Sequence, residues 1–116
     1  MTMRSPRAAA ARTIHRVLSG ESLSHFFHNT LSQLDEKRRP LCQELVYGTL
    51  REWPYLVAVS ELHIDKPLRR KDQDVLALIC IGMYELRHLR TPAHAVVAET
   101  VGDTQALRKP WAKGLV

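Results

Sequence analysis

The stretch Val75–Leu89, VLALICIGMYELRHL, is apolar nearly all the way round a helical turn. A helix with that pattern is enclosed by other helices rather than laid on a surface. Asp72 or Asp74 can cap its start, and Arg87, His88 and Arg90 crowd its last turn, where positive charge complements the helix dipole. The spacing therefore places the central element of a helical bundle here.

Working outward, the remaining segments supply amphipathic helices, and strand signals are scarce. Between Ser5 and Ser19 the apolar Ala10, Ile14, Val17 and Leu18 recur at helical spacing, with Arg12 and Arg16 on the opposite face. Gly20 stops this helix, as glycine does just past a last turn. Ser22 can cap a second helix with Leu23, Phe26, Phe27, Leu31 and Leu34 facing inward, followed by a charged turn over Asp35–Arg39. Pro40 suits the first position of a third helix, whose inward stripe is Leu41, Leu45, Val46 and Leu50. Trp53–Pro54 interrupts it, because a residue before proline is pushed out of the helical region. A fourth helix carries Leu56, Val59 and Leu62 inward. Asp65–Lys71 connects to the central helix, Thr91–Pro92 starts a sixth containing Val96, Val97, Val101 and Leu107, and Lys109–Pro110 begins a seventh. Gly48 and Gly82 interrupt helical stripes at a cost of about 1 kcal/mol each. Their expected value is close approach of two helix backbones.

Composition agrees with one globular domain. The chain has 116 residues, 45% of them hydrophobic and 25% charged, which leaves room for one modest core and excludes wholesale disorder. No repeat, low-complexity tract or interior linker divides it. The longest uncharged apolar run, Val75–Tyr84, is about half of the roughly 20 residues a membrane span needs. Ala8–Ala11 is too short for a secretory apolar region, so a cytoplasmic protein is expected. Cys42 and Cys80 are flanked by aliphatic residues and lack ligand or redox spacing, which predicts buried, reduced thiols. Seventeen Lys and Arg against twelve Asp and Glu give a net charge of +5, which favours a polyanionic partner.

Three motifs carry a resemblance. Pro40–Arg51 (PLCQELVYGTLR), Thr91–Val101 (TPAHAVVAETV) and Lys113–Val116 (KGLV) together resemble the helical RNA-binding domain shared by NusB-type antitermination factors and the amino-terminal part of RsmB-type (Sun/Fmu) ribosomal RNA cytosine methyltransferases, the methyltransferase version more closely. The resemblance implies an all-α, NusB-like bundle of about six or seven helices over residues 1–116. In the family the last motif runs on through an Asn and a Leu-Arg pair, so a fragment cut inside its last helix is expected. Such a cut would expose Trp111, Leu115 and Val116 and favour a fragment dimer.

The resemblance also implies the function: an RNA-binding module that holds ribosomal RNA for its own carboxy-terminal, S-adenosylmethionine-dependent cytosine carbon-5 methyltransferase domain. The chain itself carries no glycine-rich cofactor loop, and Cys42 and Cys80 follow Leu41 and Ile79 rather than the Pro and Thr of the catalytic pattern. Carboxylates are scattered over separate helices, against any acid–base pair. His25 and His28 share a helix face without further ligands, so they read as surface residues and no metal is expected. Alternatives are a stand-alone antitermination factor and a helical protein-interaction domain whose charge only keeps it soluble.

Arginine grips phosphate with a planar fork and stacks on unpaired bases, as single-stranded RNA loops require. The candidate RNA contacts are Arg12 and Arg16, one turn apart on the first helix, with Arg4 and Arg7 at its start. A second cluster is Lys37, Arg38 and Arg39, and a third Arg108, Lys109 and Lys113 near the end. Lys66, Arg69, Arg70 and Lys71 are offset by Asp65, Asp72 and Asp74 and read as a solvated loop.

Overall fold

The computed structural model describes residues 5–63, 72–89, 96 and 100–103, and every regular element among them is helical. Helix α1 spans Pro6–Leu18. Ser5 caps it by accepting a hydrogen bond from the Ala8 amide (3.1 Å), and Pro6 occupies the first turn, where its missing N–H costs nothing. Ala8–Ala11, Thr13 and Ile14 are all buried, so the first half of α1 is enclosed almost all round. Leu18, expected inward, is 45% exposed, because it lies beyond the last turn that the bundle covers.

Helix α2, Leu23–Ser32, buries Phe26 and Phe27, and Leu34 follows it into the core. Ser22 stands at its cap position without donating or accepting there, and its hydroxyl pairs instead with that of Ser24 (2.9 Å). The charged turn is a short 3-10 segment, Glu36–Arg38, leading directly into α3, Arg39–Arg51, with Pro40 in its first turn. Helix α4, Trp53–His63, begins after a break at Glu52 (φ −103°, ψ 13°). The interruption expected at Trp53–Pro54 thus falls one residue earlier. Pro54 fits the first turn of α4, and Glu52 absorbs the bend while its carbonyl accepts the Leu56 amide (3.0 Å).

Helix α5, Gln73–His88, is the central element, packed against α1, α3 and α4. Val75, Leu76, Ala77, Leu78, Cys80, Ile81 and Tyr84 are buried in it. Against α4 the inward pair is Leu56 and Ser60, one turn apart. The Ser60 hydroxyl donates to the Leu56 carbonyl (2.8 Å) and lies 3.3 Å from the Met83 sulfur on α5. Leu62, expected inward, points away at 81% exposure, since it lies about 120° round the helix from Leu56 and about 160° from Ser60.

Both interior glycines meet side chains, and not the neighbouring backbone expected. A Cβ at Gly48 would overlap the Tyr84 ring, which crosses from α5 over α3 and whose hydroxyl donates to Glu44 (2.9 Å). At Gly82 the neighbour is the Thr100 hydroxyl, 3.2 Å from such a Cβ. Of the expected sixth helix, the described residues Val96 and 100–103 are helical, and Val96 is buried. The Asp65–Lys71 connection, the seventh helix and Trp111, Leu115 and Val116 lie outside the described residues.

Candidate nucleic-acid interface

The outer face of α1 carries Arg12 and Arg16, both exposed, at the spacing of one turn. The helix ends just beyond them in a tight reversal. Gly20 takes a φ of +104°, its amide donates to the Val17 carbonyl (3.1 Å), and the Glu21 amide donates back to the Arg16 carbonyl (3.1 Å). These two bonds satisfy carbonyls that the helix end leaves unpaired. The reversal also delivers the Glu21 carboxylate to the Arg16 side chain, where Nε and Nη2 donate to its two oxygens at 2.9 and 2.7 Å. The guanidinium lies 3.9 Å above the Phe26 ring on α2. The Arg16 fork holds the Glu21 carboxyl below the usual carboxylate range, and the same bond pushes the Arg16 guanidinium up.

Arg7 does not belong to this face. It is buried, and its Nε and Nη2 donate to Glu85 Oε1 and Oε2 at 2.8 and 2.6 Å, with Glu85 fully buried on α5. The reason is helical spacing: Arg7 lies on the stripe of Ala11 and Ile14, four and seven residues on, and Glu85 on the stripe of Ile81 and Leu78. As an RNA contact Arg7 is therefore corrected, for its fork is committed inside the core. Arg39 is half-buried, with its Nε donating to the carbonyls of Leu31 (2.9 Å) and Leu34 (3.1 Å). That side chain closes the end of α2 and stands back from solvent. Lys37 and Arg38 remain exposed, with Arg38 4.0 Å from Asp35. Arg16 meets α2 at Phe26, whereas Lys37 and Arg38 follow the end of that helix, about 9 Å of helix further on. Arg4, Arg108, Lys109 and Lys113 lie outside the described residues.

One constellation escaped the sequence reading. Glu52, at the α3–α4 break, accepts from His88 Nε2 at 2.5 Å and lies 3.8 Å from Arg87 Nη1, both from the last turn of α5. The Arg87 guanidinium stacks 4.3 Å from the ring centre of the exposed Tyr55. The break that frees Glu52 to turn toward α5 was legible at Pro54, but its partners were not. His25 and His28 are exposed on α2. Both cysteines are buried and free, and burial pushes the thiol of Cys42 up to about 12 and that of Cys80 up to about 11. A cysteine nucleophile needs the opposite shift.

An all-helical bundle with an arginine-bearing outer face is thus defined. The sequence matches the model of the NusB family over residues 4–116, and the chain belongs to that family. Among its relatives, the ribosomal RNA small subunit methyltransferase B of Pseudomonas putida is 45% identical over 113 residues, covering 97% of this chain and 26% of that protein. The protein of the same description in Vibrio vulnificus is 40% identical over 111 residues, covering 95% of this chain and 26% of its own length. In Coxiella burnetii a probable ribosomal RNA small subunit methyltransferase B is 45% identical over 86 residues, 74% of this chain and 20% of the relative. The chain spans about a quarter of the length of the curated relatives it matches.

Proposed function

We propose that residues 1–116 form the RNA-binding module of a ribosomal RNA cytosine carbon-5 methyltransferase, acting in the cytoplasm. In this reading the bundle holds ribosomal RNA while its own carboxy-terminal domain, which binds S-adenosylmethionine, methylates the base. The observation that carries the reading is the agreement between family and relatives: a NusB-family sequence whose likeness to small-subunit ribosomal RNA methyltransferases extends over nearly its whole length. The cofactor does not fit the residues described, which offer two buried high-pKa thiols and no glycine-rich loop, so no step of methyl transfer is assigned to this chain.

Within the module, Arg12 and Arg16 contact backbone phosphate, and Lys37 and Arg38 extend the basic track beyond α2. Arg4, Arg108, Lys109 and Lys113 complete the set of proposed contacts. Burial withdraws Arg7, and Arg39 contributes by fixing the turn that carries its two neighbours.

The test is binding of the chain to a small-subunit ribosomal RNA hairpin across a series of salt concentrations. Affinity should fall linearly on a log–log plot, with a slope of about −0.7 to −0.9 per phosphate neutralised. Replacing Arg12 and Arg16 together by Glu should weaken binding at least tenfold and flatten the slope while the far-ultraviolet dichroism stays helical. Unchanged affinity in that double variant would refute the assignment, and salt-independent binding would exclude phosphate contact altogether.

A further inference from the structure

We infer that Glu21 is an internal stand-in for an RNA phosphate: its carboxylate fills the fork of Arg16 in the free domain, and a backbone phosphate displaces it on binding. The inference rests on the reading of the α1 face as RNA-binding and adds to it the residue that sets the strength of that contact.

Three features support it. The Arg16 guanidinium carbon lies 3.9 Å over the centre of the buried Phe26 ring, so the ring backs the group on one side while Nε and Nη2 reach Glu21. That edge makes two parallel donor contacts of 2.9 and 2.7 Å to the two Glu21 oxygens, the side-on pattern with which arginine also grips phosphate. And Glu21 is presented by a rigid reversal, not by a loose loop: its amide is bonded to the Arg16 carbonyl, and Gly20 holds the left-handed conformation between them. The carboxylate is thus delivered to the place a phosphate oxygen pair would take. Both side chains are about half exposed, at 45% and 48%, so the pair is open to exchange with an incoming anion. Exposed pairs of this kind are held weakly against water, which makes displacement inexpensive.

A plain stabilising ion pair makes a different prediction from a competitor. If Glu21 competes for the fork, removing its charge strengthens RNA binding, and only when Arg16 is present. If it merely adds to the general negative potential of the surface, the gain is the same whatever stands at position 16.

The experiment is a double-mutant cycle on binding to the ribosomal RNA hairpin, with Glu21→Gln, Arg16→Gln and the double variant, each across the salt series. Thermal melting of every variant accompanies it. Glu21→Gln is expected to bind about two- to fivefold tighter, the range an exposed pair can withhold. Its salt slope should steepen by somewhat less than one unit, as one more cation becomes available to phosphate. In the Arg16→Gln background the same change should alter affinity by less than about 1.5-fold, since the weak pair's gain has no fork to act through. Equal gains in both backgrounds, or no gain in either, overturn the role of Glu21 while leaving the RNA-binding reading intact. Loss of all salt-dependent RNA binding in the unmodified chain overturns both.

Discussion

At the scale of single residues, the Arg7–Glu85 pair carries the largest local stake. Two charges out of water are tolerable only because each satisfies the other, with two short hydrogen bonds between them. Removing one partner strands the other, at a cost of about 3–5 kcal/mol. Glu85→Leu alone should therefore lower urea stability by that amount, whereas Arg7→Met with Glu85→Leu should recover most of the loss. Equal losses in the single and double variants would show that the pair is not what the core depends on. Gly48 presents the second test. Alanine there gains about 1 kcal/mol of helix propensity, but its Cβ would overlap the Tyr84 ring and displace the hydroxyl from Glu44. Overpacking of this kind costs about 1–3 kcal/mol, so Gly48→Ala should come out net destabilised in thermal melts.

At the scale of elements, the reversal after α1 depends on one backbone conformation. Gly20 has no atoms within 4 Å of the position a Cβ would occupy, so Gly20→Ala meets no clash and its cost is the left-handed φ alone, about 1 kcal/mol. Chemical denaturation should show a loss of that size, and a change several times larger would mean that the turn is packed as well as strained. Helix boundaries were largely legible in the sequence, because caps, prolines and glycines act locally. Pro6, Gly20, Pro40 and Pro54 each mark an end, and the observed breaks lie within a residue or so of them. Pairing between elements was less legible. Arg7 and Arg12 look alike in a list of basic residues, and only their different phases on α1 separate a core ion pair from a surface cation. The lone Glu85 inside an apolar run was the available signal that a buried cation had to exist. Tyr84 over Gly48, and His88 with Glu52, depend on how α3, α4 and α5 cross, which no local pattern encodes. Leu62 shows the limit of stripe patterns: it is hydrophobic and close in sequence to the inward Leu56 and Ser60, yet its phase on α4 turns it outward.

At the scale of the whole molecule, the bundle has a Cα radius of gyration of 13.1 Å, close to the value of about 13 Å for a compact chain of this length. Its two thiols give the entire fold a signature at high pH. An unfolded cysteine ionises near 8.5, whereas Cys42 and Cys80 stay protonated in the core until about 12 and about 11. The raised native values mean that their contribution to stability is fully present below the unfolded value. It is lost as pH rises through the window up to the native one. Stability measured by urea melts should fall by up to about 1.4 kcal/mol per pH unit for each thiol over that range. Cys42→Ala should start lower at neutral pH but fall less steeply, and parallel pH curves for the two proteins would contradict the assigned burial. The same burial means that thiol reagents should modify the protein only as fast as it unfolds.

The ion pair that joins α1 to α5 also bears on how the chain is made. Arg7 and Glu85 are 78 positions apart, so α1 is synthesised long before the carboxylate that neutralises its inward arginine exists. At the usual 5–20 residues per second, the nascent first helix waits roughly 4–16 s for that carboxylate. Over that interval the inward guanidinium has no carboxylate from α5 to meet, so burial of its charge follows the synthesis of that helix.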